Sequence, residues 1–292
     1  KLRYAFKEYS KENLMELAPE ALGGVLRERV HHMIEVPLYP TLLKWKGKAI
    51  PNFGEQAQMV FDVWQERGLP EDTPDIAWVK RYLAVAERIR SGEAPGVEEP
   101  LPTPFNEDEM DVVRKLIWGR RSIRDWIDKP IPEDMMVEIL EAGNAAPIGC
   151  NLGHLRFVVL TTPEEKAMIW SDVSTKNAAA IIVVCHDKRA AQAVCHDRLV
   201  PQNPGFDAAA AGTQMLLMAH ALGLGAVWLS ELKETDKTGD TGREFKEKYG
   251  LPDHIEVHFH IAVGWTAIGS IKSARPALAD LVIRRRKRDG ER

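Results

Sequence analysis

Cysteine is scarce in this chain: Cys150, Cys185 and Cys195 are the only three in 292 residues. They are too few and too scattered for a disulfide framework or a Cys-x-x-Cys metal site, and a reducing, cytoplasmic setting is the expectation. No apolar run reaches the roughly 18 residues that suggest a membrane-spanning helix. The net charge is only −4, which argues against a surface built to track nucleic acid. No phosphate-binding Gly-x4-Gly-Lys-Ser/Thr loop occurs. The stretch GLGAVW has Trp228 where a dinucleotide-binding turn has its third glycine, and it follows a helix instead of joining strand to helix. The chain begins with Lys1 in place of methionine, which leaves a preceding segment open. What is present is ordinary globular composition, 45% hydrophobic and 28% charged, at a length that suits one large domain or two modest ones.

Two parts are predicted. Residues 1–105 read as a helical extension: Leu14, Leu17, Leu22, Leu26 and Val30 recur at helical spacing, as do Ile76, Val79, Leu83 and Ile89, and Phe61, Val63 and Trp64 mark a further helix. The extension ends in the Pro-, Gly- and acid-rich stretch SGEAPGVEEPLPTPFNEDE, which has the composition of an extended linker. Residues 106–292 then alternate helices with apolar strands. Asn106 caps a helix, PEDMMVEILEAGNAAP is a helix from Pro132 that stops before Pro147, and RFVVLTT and AAIIVVCHD are buried strands. A long Ala-rich helix beginning at Asp207, its N-cap, ends at Gly223 and Gly225. GAVWLS is a short strand or turn, GREFKEKYGLP a charged helix, and IEVHFHIAVGW a strand of period two. On that period His258 and His260 share one face with Glu256.

The densest chemistry is GRRSIRDW, residues 119–126. Arg120, Arg121 and Arg124 crowd around Ser122, and burying them without anions is costly. A phosphate dianion beside an electron-rich ring system would satisfy them, each charge-assisted bond contributing roughly 1.5–3 kcal/mol. The spacing alone is equally compatible with a solvated basic turn. Four further stretches weigh on that choice: AAPIGCNLGHLRFVVL at 145–160, with Gly149 and Gly153 open to close approach; DAAAAGTQMLLMAHALGLGAVWLS at 207–230; Gly264 after an apolar strand; and KSARP at 272–276.

In this order the set resembles the nitroreductase family of FMN enzymes, over residues 110–283. The resemblance implies an α+β nitroreductase-like fold, with a central mixed or antiparallel sheet flanked by helices, in a homodimer holding FMN at the subunit interface. It implies NAD(P)H as electron donor and a nitroaromatic, quinone-like or related small acceptor, in ping-pong order. Carried over residue by residue, Arg120 and Arg275 hold the FMN phosphate, with Lys272 a weaker candidate. Arg121 and Ser122 approach the ribityl chain and phosphate, and Arg124 lies at the pyrimidine edge, where a cation stabilises the reduced ring. Pro147, Ile148, Gly149 and Asn151 belong to a loop that covers the cofactor of the partner subunit. Trp228, Leu229 and Ser230 lie beside the isoalloxazine, where a backbone N–H faces N5. Arg124, Trp228 and Leu229 are thus the candidates nearest the chemistry. The chain departs from the family at Ile148, where many members carry Ser, and at Leu152–Leu155, where Gln or Glu, Pro and Trp are common. No long insertion separates the first two strands, so the N-terminal helices are expected to serve as cover or dimer clamp.

Other features read blandly. His258 and His260 suit a polar sheet face or subunit contact better than a metal site, and no metal is expected. His31 and His32 are adjacent on a helix and cannot converge on one ion, so they read as surface or interface residues. Cys185 ends an apolar strand as a buried thiol, and the basic tail RRRKRDGER reads as solvated. Two competing functions remain: reductive dehalogenation of a halophenol, suggested by the Ala-Pro-x-Gly loop, and a non-catalytic flavin-binding scaffold.

Overall fold

The computed structural model describes residues 10–169, 177–230 and 241–283; the basic tail from Arg284 onward lies outside them. Five helices make the N-terminal layer: α1 (Lys11–Glu16), α2 (Pro19–Val30), α3 (Val36–Lys44), α4 (Glu55–Glu66) and α5 (Pro74–Arg90). Proline opens α2 and α5, where the missing N–H has no partner to lose. Between α2 and α3 the backbone widens into a π turn at His31–Glu35. Pro37 follows at once, can donate no hydrogen bond and crowds the preceding turn, and Val36 N–H reaches back to His31 O.

The apolar faces of these helices meet in one cluster, with Leu22, Val25, Leu26, Val30, Val60, Ile76, Val79 and Ile89 all buried. The cluster does not close on itself. It continues into Leu152, Ala190, Ala191 and Val194 of the second half of the chain. Helix α2 lies so close to α9 (Lys188–Ala193) that a Cβ at Gly24 would fall 2.6 Å from the Cβ of Ala190. Arg27 fastens the same contact, reaching Asp75 at 2.5 Å and the carbonyl of Leu152 at 2.8 Å.

Residues 98–106 run exposed and without regular structure up to α6 (Glu107–Gly119), which opens on a capping box between Asn106 and Glu109. Helix α7 (Glu133–Asn144) leads through a tight turn at Gly149–Asn151 into β1 (Leu155–Leu160). After the short α8 (Pro163–Lys166) come β2 (Ala180–Asp187), α9, α10 (His196–Leu199), α11 (Asn203–Ala221), β3 (Gly225–Ser230), α12 (Thr241–Tyr249), β4 (Ile255–Gly264) and α13 (Leu278–Leu281). The four strands pair antiparallel in the order β1-β2-β4-β3. One parallel bridge, Ser122 to Ala226, adds to the β3 edge. The fold is α+β.

Both sheet faces are covered. Phe157, Ile182, Val184, Phe259 and Ile261 face α7 and α11 through Ile139, Ala208 and Met215. Ile181, Val183 and Cys185 face the other way, toward Phe245 of α12. Strand alternation explains this sorting, but β4 breaks it once. The register shifts between Val184 and Cys185, which pair with Phe259 and Val257, so His258 is the extra residue. Two expectations are corrected here. His258 and His260 do not share a face: His258 stacks on His186 at 4.8 Å, whereas His260 pairs with Val183 on the opposite side. Asp207 is not an N-cap, because α11 begins at Asn203 and its N-cap is Gln202.

Replacing Gly24 with Val should lower unfolding stability by about 1–3 kcal/mol, since neither backbone can retreat without opening the shared core. Urea denaturation of the full chain measures it, and an unchanged midpoint would show that α2 and α9 do not pack as described.

Candidate functional site

The arginine turn is fixed at both ends. Arg120 caps α6, and Gly119 sits against α11, where an added Cβ would meet His220 Nε2 at 2.8 Å. Beyond it, Ile123 N–H donates to Ala226 O at 3.1 Å, joining the turn to the free edge of β3. Gly225 has no side chain because Ile123 occupies that space, 2.8 Å from where a Cβ would stand. Strand geometry turns the backbone groups of Trp228 and Ser230 the same way as those of Ala226. That edge therefore presents main-chain donors and acceptors next to the arginines.

The guanidinium groups find no carboxylate among the described residues: none lies within ion-pair distance of Arg120, Arg121, Arg124 or Arg275. Arg121 donates only to the carbonyls of Trp118 and Arg120, and Arg275 to that of Ala274. Burial, then the charges of Arg121 and Arg275, push the pKa of Arg120 down. The late segment carrying Arg275 thus comes back near enough to the turn for its charge to bear on Arg120. Lys272 and Arg124 are exposed.

The remaining predicted residues separate into two groups. Trp228 stacks on Phe259, with centroids 3.7 Å apart, over Gly212 of α11. Leu229 points to the other face of the sheet with Ala178, Val227 and Trp126. Their side chains cannot line one cavity, and their backbone groups alternate as well: those of Trp228 face the free edge beside the arginine turn, those of Leu229 face β4. Pro147, Ile148, Gly149 and Asn151 lie elsewhere. Gly149 N–H donates to Asp207 Oδ1 at 2.9 Å, near the start of α11, whereas the arginine turn meets the end of that helix. From Asp207 to His220 the helix rises about 20 Å. Within one chain the loop and the arginines do not meet.

Polar groups that the sequence did not point to surround this loop. His154 lies 3.3 Å from Asp207 Oδ2 and is buried. Burial, then the charge of His258, holds His154 down at about 4, and the same two causes hold His186 at about 3. Burial pushes the Asp207 carboxyl up, against the bond from Gly149 and the charge of His196. Cys150 faces His32, one of the two histidines expected at a surface or interface; both are half-buried where the N-terminal layer meets the loop. No local signal announces these pairs, since Cys150 and His32 stand 118 positions apart. Among the described residues no group of three or more His, Cys, Asp or Glu is arranged to hold a metal ion.

The Nitroreductase family model matches residues 117–182 and 171–265, together just over half of the chain. The chain belongs to the nitroreductase family. A Methanothermobacter thermautotrophicus protein provisionally named NADH dehydrogenase/NAD(P)H nitroreductase is 32% identical over 162 residues, 54% of this chain and 79% of its own. A provisionally named nitroreductase from Desulfovibrio desulfuricans, solved in complex with FMN, is 31% identical, covering 60% of this chain and 98% of its own at a TM-score of 0.49. A provisionally named NADH oxidase from Clostridium acetobutylicum is 27% identical, covering 59% and 99%, with a TM-score of 0.50. The N-terminal layer and α6 up to Leu116 lie before the matched residues.

The histidine pair predicts a pH dependence. An ordinary unfolded histidine takes up its proton near 6.5, whereas His154 and His186 resist until about 4 and 3. The unfolded state therefore binds more protons in between, and stability should fall as pH drops from about 6.5 toward 4. Asp207 works in the opposite sense. Denaturation midpoints across this range should flatten in His154→Gln and His186→Gln; a wild-type profile without slope would contradict the assignment.

Proposed function

We propose that this chain is an FMN-dependent oxidoreductase that passes electrons from NAD(P)H to a small organic acceptor in ping-pong order, as a homodimer. The observation that carries the reading is the cluster of Arg120, Arg121 and Arg275, which has no carboxylate partner among the described residues. A phosphate monoester dianion is the ligand that such a cluster fits. The FMN complex of the Desulfovibrio desulfuricans relative supports the choice among phosphate-bearing ligands.

When bound, FMN supplies two-electron chemistry, accepting hydride from the nicotinamide and delivering it to the acceptor. The chain's own residues bind, orient and shield. Arg120, Arg121 and Arg275 neutralise the phosphate, with Lys272 on the same late segment, and Ser122 adds a hydroxyl at the bridge to β3. Backbone groups of Trp228 and Ser230 hold the ring edge, and Arg124 adds positive charge where reduction builds negative charge. No protein nucleophile or dedicated base is needed, and the acceptor is a nitroarene, a quinone or a related compound.

A second copy completes the site. Pro147, Ile148, Gly149 and Asn151 are held at the far end of α11, so only another subunit can bring them over these arginines. The exposed surface supports this. Helix α6 buries no residue, yet Val112, Ile117 and Trp118 are all more than half exposed. The late segment leaves Ile271, Leu278, Leu281 and Ile283 in the open. Exposed apolar side chains on a helix, beside an extended arm of the same character, call for an interface.

Three measurements test the proposal. The purified protein should be yellow, with absorbance near ~450 nm, and Arg120→Ala or Arg275→Ala should weaken FMN binding roughly ten- to hundredfold, as loss of one charge-assisted bond implies. Flavin fluorescence titration reads this; wild-type affinity in both variants would sink the phosphate assignment. Sedimentation should show two copies for the wild type and one for Ile117→Asp/Trp118→Asp, with FMN affinity lost alongside. A monomer that retains flavin would reject the shared site.

A further inference from the structure

Cys150 occupies the left-handed backbone region at φ 55°, a conformation that costs a side-chain-bearing residue energy and is met mostly at constrained sites. It turns the thiol inward, toward the N-terminal layer. Cys150 Sγ lies 3.8 Å from His32 Nε2. On the far side of the same ring, His32 Nδ1 stands 2.9 Å from Glu28 Oε1. Glu28 is fully buried and held by the guanidinium of Arg29. His196, also buried, places Nε2 3.8 Å from the same Glu28 oxygen and borders the thiol. The other charged groups nearby are engaged elsewhere: His31 pairs with Glu35 at 2.6 Å, and Asp207 accepts from Gly149. The π turn sets His32 out of regular helical register, and the fold then brings it to a loop 118 residues away.

The electrostatics match the geometry. Burial pushes the thiol up, but hydrogen bonds and charge from His196 and His32 outweigh it and leave Cys150 at about 7. The thiol of Cys150, then the carboxylate of Glu28, raise His32 to about 10. Around pH 7 the thiol ionises beside an imidazolium, and the thiolate is the form in which a cysteine is nucleophilic.

We infer that Cys150, His32 and Glu28 form a second reactive site, in which the Cys150 thiolate reduces a small hydroperoxide. The inference does not depend on the flavin reading. Acyl transfer, the other common use of such a triad, needs a pair of free amides for an oxyanion. Here the amide of Asn151 donates to Ile148, that of Leu152 to Gly149, and that of Gly149 to Asp207. Attack on a peroxide needs no oxyanion hole, only a thiolate and a proton for the leaving oxygen. Sγ attacks the terminal oxygen of ROOH, the S–O bond forms as the O–O bond breaks, and the departing RO⁻ takes the proton of the His32 imidazolium. Sulfur gives up two electrons, the peroxide gains them as ROH, and Cys150 is left as sulfenic acid. Glu28 acts through His32 as a positioning residue.

The test treats the full chain with hydrogen peroxide, traps sulfenic acid with a dimedone probe, and reads each cysteine by peptide mass spectrometry. Cys150 should label at least about tenfold faster than Cys195 at pH 7, with a rate that rises through a midpoint near 7, well below an ordinary thiol. His32→Gln should move that midpoint upward by more than one pH unit and slow labelling at pH 6. The wild-type pH profile alone decides the matter if the variant does not fold. Labelling of Cys150 no faster than Cys195, a midpoint near 8.5 or above, or an acyl adduct on Cys150 from p-nitrophenyl acetate in place of sulfenic acid would overturn the inference.

Discussion

One nineteen-residue helix sets the geometry on which the rest depends. Helix α11 meets the arginine turn at one end and the Ala-Pro loop at the other, and it lies against the sheet through Gly212, over which Trp228 and Phe259 stack. One face of it is buried along its length through Ala208, Ala211, Met215 and Ala219. The cations and the loop are therefore kept about 20 Å apart. A cofactor needing both would have to sit between two copies, which also gives a use to the apolar side chains exposed on α6 and the late segment.

The N-terminal layer adds a second constraint of the same kind. Its core is incomplete without Leu152 and the small residues of α9. Gly24 and Ala190 let the two helices approach where any larger pair would hold them apart. The contact buries Glu28 with Arg29 and brings His32 against Cys150. A buried carboxylate is tolerable only when paired, and here the pairing orients an imidazole toward the loop.

Much of this was legible in the residues. Periodicity marked the helices of the layer and the four strands, and Pro132, Asn106 and Gly223 punctuated them as local chemistry requires. The errors have physical causes as well. Asp207 reads as a cap because acids favour helix starts, but Pro204 opens the helix earlier and the carboxylate is needed inside to hold Gly149. His258 and His260 read as one face because period two assumes a regular ladder, and a single bulge parts them.

The sequence by itself determined the element types, the basic turn and the family resemblance, because these rest on local propensity and on the order of short motifs along the chain. Tertiary structure alone decided that Cys150 meets His32 and Glu28, that α2 closes on α9, and that His258 and His260 part. Those are contacts between residues far apart in the chain, fixed by how helices pack and where one strand bulges. Neither composition nor periodicity carries information about them.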